Sequence, residues 1–122
     1  RQEREIAQKC VVIVKATRMA MKKVLKVLDS PVGSVEAQDE VVRWAGKCSG
    51  HVDDLVGLLG EGGLQAESVN SAVTALTEGS VKGLLESGKK LAEAKEAAWF
   101  DTCLAQISKV AKEIANLPPS TT

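Results

Sequence analysis

The sequence predicts an all-α fold, a four-helix up-down-up-down antiparallel bundle, and three observations carry that reading. Apolar residues recur at i, i+3, i+4 and i+7 through four stretches of roughly 20 to 28 residues, the spacing of helices with one buried stripe. The links between the stretches are short, which favours antiparallel neighbours. A chain of 122 residues is also long enough to bury a shared core without disulfides or metal.

The first helix is expected from about Gln2 to Leu28, and the segment Cys10 to Leu28 is its most informative part. Ile6, Cys10, Ile13, Val14, Thr17, Met21, Val24, Leu25 and Leu28 form an apolar stripe, while Lys15, Arg18, Lys22 and Lys26 gather on the opposite side. Glu3 and Glu5 near its start and Lys22, Lys23 and Lys26 near its end suit the helix dipole. Asp29-Ser30-Pro31-Val32-Gly33-Ser34 ends it, and Ser34 is placed to cap the second helix. The stripe of that helix is Val41, Val42, Ala45, Cys48, Val52, Leu55, Val56 and Leu59, and Gly60-Glu61-Gly62-Gly63 is the clearest turn in the sequence.

The third helix begins near Ala66 and buries Val69, Val73, Leu76, Leu84 and Leu91, with Ser80 and Ser87 filling the same stripe thinly. The fourth carries Trp99 or Phe100, then Cys103, Leu104, Ile107, Val110, Ala111, Ile114 and Leu117, and stops at Pro118-Pro119. Between them, Leu91 to Trp99 (LAEAKEAAW) has no turn residue, and the reversal is expected near Lys95 to Ala98. The alternative is one continuous rod from both helices, closing only by helix exchange with a second chain as a homodimer. In the antiparallel layout, Lys23 falls near Asp39 and Glu40, and Lys9 near Asp53 and Asp54, which supports register more than stability.

Residues 1–117 read as a single domain and residues 118–122 as a tail. Sixteen basic and sixteen acidic residues leave no net field to attract nucleic acid, and only Trp44, Trp99 and Phe100 could stack on bases, so no nucleic-acid partner is expected. No apolar run approaches the roughly 20 residues that span a bilayer, so no membrane partner is expected either. The N-terminus is too charged and polar for a secretory signal. Cys10, Cys48 and Cys103 are odd in number, widely spaced and each on an apolar stripe, the pattern of reduced core thiols in a cytosolic or nuclear protein. The opening on Arg1 and the close on Pro118-Pro119-Ser120-Thr121-Thr122 suggest a piece of a longer protein.

Chemistry-bearing motifs are few. Cys48-Ser49-Gly50-His51 has the gap of a metal half-site, but no second half accompanies it, and no cofactor is expected. The same pair read as nucleophile and base lacks a Gly-rich oxyanion turn. Asp53 and Asp54 diverge by about 100 degrees as neighbours on a helix, so they form no acid/base dyad. They are either solvated, paired with Lys9, or an acidic spot facing a partner. Gly60-Glu61-Gly62-Gly63 lacks the strand and the Lys-Ser/Thr of a phosphate loop. Gly46, Gly50 and Gly57 in the second helix and Gly79, Gly83 and Gly88 in the third cost about 1 kcal/mol each against Ala. Close packing of these helices, small against small, is the favoured explanation. The alternative is a marginally stable hairpin that opens to lend a helix to a partner.

Cys10-Val11-Val12-Ile13-Val14-Lys15-Ala16-Thr17-Arg18 followed by Lys22-Lys23-Val24 resembles the helix opening the C-terminal part of the cyclin-D-interacting proteins, helix-loop-helix proteins lacking a basic DNA-binding region. Asp39-Glu40-Val41-Val42, Val52-Asp53-Asp54-Leu55 and Trp99 extend the resemblance over nearly the whole chain. It implies a non-enzymatic protein that binds D-type cyclins, is linked to reduced phosphorylation of the retinoblastoma protein, and acts in cytoplasm and nucleus as a negative regulator of proliferation and transcription. The fold it implies is all helical, similar to vinculin, α-catenin and talin bundles. No residue is carried over as a cyclin ligand.

The sequence therefore reads as a protein-interaction domain with the exposed side of the first helix as its binding face. Lys15, Arg18, Lys22, Lys26, Asp53 and Asp54 are the candidate partner-binding residues. The alternative is a cytoskeletal adaptor bundle of talin or vinculin type, in which a helix leaves the bundle to dock on a partner.

Overall fold

A computed structural model describes residues 2–28, 34–60 and 66–116. Helix α1 spans Gln2–Val27 and α2 spans Val35–Gly60. A third rod consists of α3 (Ala66–Leu76), a π-helical turn (Thr77–Val81) and α4 (Lys82–Leu91) in unbroken succession, and α5 (Ala94–Ala115) follows. The four rods form the expected all-α bundle, with α2 packed beside α1 and beside the α3–α4 rod, and α5 closing the ring between that rod and α1.

Cross-contacts fix the directions. Lys9 Nζ of α1 meets Glu113 Oε1 of α5 at 3.0 Å, and Lys23 Nζ lies 4.4 Å from the Trp99 ring centroid, so ascending numbers in α1 meet descending ones in α5. Glu40 reaches Ser87 and Lys90 while His51 reaches Ser80, which sets α2 antiparallel to the third rod. Ser34 caps α2 as expected, its Oγ accepting the Ala37 N–H at 3.2 Å.

The core contains Ile6, Cys10, Ile13, Val24, Val41, Cys48, Val52, Leu55, Val69, Val73, Leu76, Leu84, Leu91, Phe100, Cys103, Ile107 and Ile114 from the expected stripes. Phe100 is fully buried and Trp99 half-buried, which settles the choice between them. Leu25, Val42 and Val56 depart from expectation: they are exposed at 43%, 57% and 41%. Each stands on the flank of its stripe, where a broad apolar arc runs past the surface its neighbours cover.

The π turn explains why the third rod buries more than its predicted stripe. The Lys82 N–H bonds to the Thr77 carbonyl five residues back, inserting an extra residue into the turn. The predicted stripe steps by four, three and four residues from Val69 to Ser80, then by four again to Leu84. The π turn absorbs that extra step, and Thr77, Val81, Leu85 and Gly88 join the buried set.

Three further expectations are corrected. The reversal between the third rod and α5 lies at Ala92 and Glu93, upstream of Lys95 to Ala98, where both residues take extended backbone (φ −101°, ψ 153° and φ −74°, ψ 166°). The chain therefore folds back on itself there, and Lys89 Nζ pairs with Asp101 Oδ1 at 2.7 Å across the hairpin, in place of a continuous rod. The charge register between α1 and α2 also differs: Lys9 pairs with Glu113, Lys23 covers Trp99, and Glu40 turns to the third rod. Finally, the helix glycines do not pack small against small. A Cβ on Gly46, Gly50 or Gly57 would meet nothing within 4 Å, whereas Gly79, Gly83 and Gly88 lie under His51, Trp44, and Val24 with Phe100. The expected features at 29–33, at 61–63, and at Leu117 to Pro119 lie outside the described residues.

Candidate functional site

Lys15, Arg18, Lys22 and Lys26 are all exposed on α1, spaced by three or four residues so that they form a single cationic row. Asp53 and Asp54 are exposed on α2. Lys9, on the flank of α1 that faces α5, is engaged by Glu113, so the expected pairing of the two acids with Lys9 is not made.

The position of these residues follows from which flank of each helix meets which neighbour. On α1, Lys9, Ala16 and Lys23 touch α5: the Cys103 thiol approaches the Ala16 carbonyl at 4.0 Å, in addition to the Glu113 and Trp99 contacts. The opposite flank, Val11, Arg18 and Leu25, therefore turns toward α2. On α2, Glu40, Trp44 and His51 touch the third rod, so Val42, Ser49 and Val56 turn toward α1. Both sets recur every seven residues, the repeat that keeps a row straight along packed helices. The antiparallel helices pack side by side, so the row Val11, Arg18 and Leu25 and the row Val42, Ser49 and Val56 border one seam, and four of these side chains are exposed apolar ones.

Val11, Val12, Met19, Leu25, Val35, Val42 and Val56 are the exposed large hydrophobic residues among the described residues, and all lie on α1 or α2. The cationic row runs along the outer crest of α1 beside the seam, with Arg18 inside it. Asp53 stands at the α2 edge of the seam and Asp54 about 100 degrees further round. The structure thus places Arg18, Lys15, Lys22 and Asp53 about one surface feature and leaves Asp54 off it. The apolar members escaped the sequence reading because Leu25, Val42 and Val56 fit the core stripe equally well. Spacing does not separate them, because the buried Cys10, Thr17 and Val24 of α1 and Val41, Cys48 and Leu55 of α2 share the same seven-residue repeat.

Lys26 also lines a second feature, an open hollow of about 600 Å³ between the end of α1 and the start of α5, together with Lys23, Leu91, Lys95, Glu96 and Trp99. It exists because the chain reverses at Ala92 and Glu93, a position the sequence did not reveal.

Cys48 and His51 meet a residue that the sequence did not join to them. His51 Nδ1 lies 2.9 Å from Ser80 Oγ, and Ser80 Oγ donates to the Leu76 carbonyl at 2.9 Å. With its only proton committed to Leu76, the hydroxyl accepts from His51, so Nδ1 carries the imidazole proton. Ser80 is fully buried and held as a donor to backbone, so His51 latches α2 to the π turn and does not act as a base toward that hydroxyl. Cys10, Cys48 and Cys103 are free, buried thiols whose pKa values burial pushes up, that of Cys10 to about 11, which keeps them protonated and weakly nucleophilic at neutral pH. Glu40 is held below the usual carboxylate range by the Ser87 hydrogen bond and then by Lys90. Among the described residues, no three His, Cys, Asp or Glu side chains cluster as metal ligands, and no helix is long and apolar enough to cross a membrane.

No protein-family model, curated protein or solved structure matches the chain.

Proposed function

We propose that this chain is a non-enzymatic protein-interaction domain of the cyclin-D-binding kind that its sequence resembles, acting in cytoplasm and nucleus as a negative regulator of cell-cycle progression and transcription. Its binding face is the outer side of α1 together with the α1–α2 seam. The observation that supports this is the confinement of exposed large apolar side chains, among the described residues, to α1 and α2, beside the row Lys15, Arg18, Lys22 and Lys26. Apolar exposure bordered by charge is the composition of a recognition surface. The identity of the partner, a D-type cyclin, rests on the sequence resemblance. Reversing charge at Lys15, Arg18 and Lys22 together should cut capture of a D-type cyclin at least about tenfold while leaving thermal stability nearly unchanged, because all three are exposed. Unaltered capture by that variant contradicts the proposed face.

A second reading, an adaptor bundle that releases a helix, is favoured by the polar content of the third rod. Thr77 and Ser80 within the π turn and Ser87 beyond it are buried there, and the Thr77 hydroxyl finds no hydrogen-bond partner among the described residues. Buried orphan hydroxyls cost stability that an apolar rod would keep. Hydrogen exchange distinguishes the two: release of the third rod well below global unfolding supports the adaptor, and uniform protection counts against it.

A further inference from the structure

We propose that the α1–α2 seam is a groove for one amphipathic helix of a partner protein, with apolar residues at heptad spacing and an acidic edge that lies over the cations of α1. This deepens, and rests on, the reading of α1 and α2 as the binding face.

The length and the charge of the seam each constrain the occupant. From Val11 to Leu25 is fourteen residues of α1, and from Val42 to Val56 fourteen of α2, each about 21 Å of helix at 1.5 Å per residue. A partner helix of about 20 residues spans it with a margin of one turn at each end. The apolar groups sit between two crests, α1 with Lys15 and Lys22 on one side and α2 with Asp53 on the other. A convex helix with one apolar face enters such a groove.

Charge sets the partner's chemistry and its orientation. The α1 border of the seam carries Arg18, Lys15 and Lys22, which take no part in any hydrogen bond or ion pair among the described residues. The α2 border carries exposed Asp39 and Asp53 near its two ends, with Gly46 and Ser49 between them. A helix lying between the borders therefore matches the seam best with carboxylates along the α1 side and without acids on the α2 side. Leucine or valine at two positions per heptad fills the floor against Val11, Leu25, Val42 and Val56. Arg18, between Val11 and Leu25 on the same row, is the residue most surrounded by the occupant and the one whose loss should cost most.

The test uses the chain with two synthetic 21-residue helical peptides that share leucines at the first and fourth heptad positions. One carries glutamate along one flank and the other lysine. Binding is followed by fluorescence anisotropy, and self-association by sedimentation. The glutamate peptide should bind at least about tenfold more tightly than the lysine peptide. Arg18→Glu should remove about tenfold of that affinity, and Val42→Asp should abolish binding with the melting temperature of the chain unchanged. Equal binding of both peptides, no binding of either, or Val42→Asp binding like the parent overturns the proposal. So does concentration-dependent dimerisation that Leu25→Asp removes, because a second copy would then be the occupant. If the peptides fail while charge reversal on α1 still removes capture of a D-type cyclin, the helix-groove inference falls and the binding face stands.

Discussion

Trp44 of α2 lies across Gly83 of α4 so closely that a methyl group on the glycine would come within 2.5 Å of the indole. Lys47 Nζ sits 4.8 Å from the centroid of the same ring, so the indole is held between an ammonium group and bare backbone. This contact converts a helix-weakening glycine into a seat for the largest side chain at the junction of α2 and the third rod. It also separates the glycines of the chain into two kinds.

Gly83→Ala should destabilise the fold by about 1–3 kcal/mol despite the better helix propensity of alanine, because the indole must leave its seat. Gly46→Ala and Gly50→Ala, on the open side of α2, should instead stabilise by up to about 1 kcal/mol each. Urea denaturation of the three variants checks both signs. Equal effects at Gly83 and Gly46 would show that the Trp44 contact does not order the two helices.

The hydrogen-bond chain from His51 through Ser80 to the Leu76 carbonyl predicts the neutral imidazole tautomer protonated at Nδ1. Nitrogen-15 chemical shifts of the neutral ring should show a protonated Nδ1 and a bare Nε2. Ser80→Ala should weaken that preference and cost about 1–2 kcal/mol of stability by removing both bonds. The opposite tautomer in the parent chain would free the Ser80 proton and reopen the reading of His51 as a base.

The buried thiols predict an alkaline limb to stability. Burial raises their folded-state pKa values above those of the unfolded chain, so their contribution is complete below the ordinary value of 9.0 and fades as pH climbs toward about 11, the folded value for Cys10. Lysine deprotonation acts in the same range, so the comparison is between the parent and Cys10→Ala. The variant should lose stability outright from its cavity, yet decline less steeply between pH 9 and 11, by up to about 2–3 kcal/mol over the window. Parallel profiles would indicate that the Cys10 thiol ionises as easily in the fold as outside it.

Much of the fold was legible because a helix with one buried stripe writes its period into the sequence. Ile6 to Val24, Val41 to Leu55 and Phe100 to Ile114 follow it closely enough to assign the core. The reversal before α5 was not legible, since Leu91 to Trp99 offers no turn residue and the chain turns on the extended backbone of Ala92 and Glu93, with no side-chain cap. The charge register failed for a related reason. Periodicity shows that Lys9 and Lys23 flank the stripe but not which neighbour each flank faces, and both face α5. The candidate cations of α1 were legible as a row because they share the side opposite the stripe. The apolar half of the same surface was not, because an exposed Leu25 or Val42 reads like a core residue until the neighbouring helix is placed.

The location of the binding face is tested most directly by titrating nitrogen-15-labelled chain with a D-type cyclin and mapping the perturbed backbone amides. Amides around Val11, Arg18 and Leu25 of α1 and Val42 and Ser49 of α2 should shift or broaden together, with α4 and the middle of α5 unaffected. Perturbation confined to α4 and α5, with the α1–α2 seam silent, would contradict it.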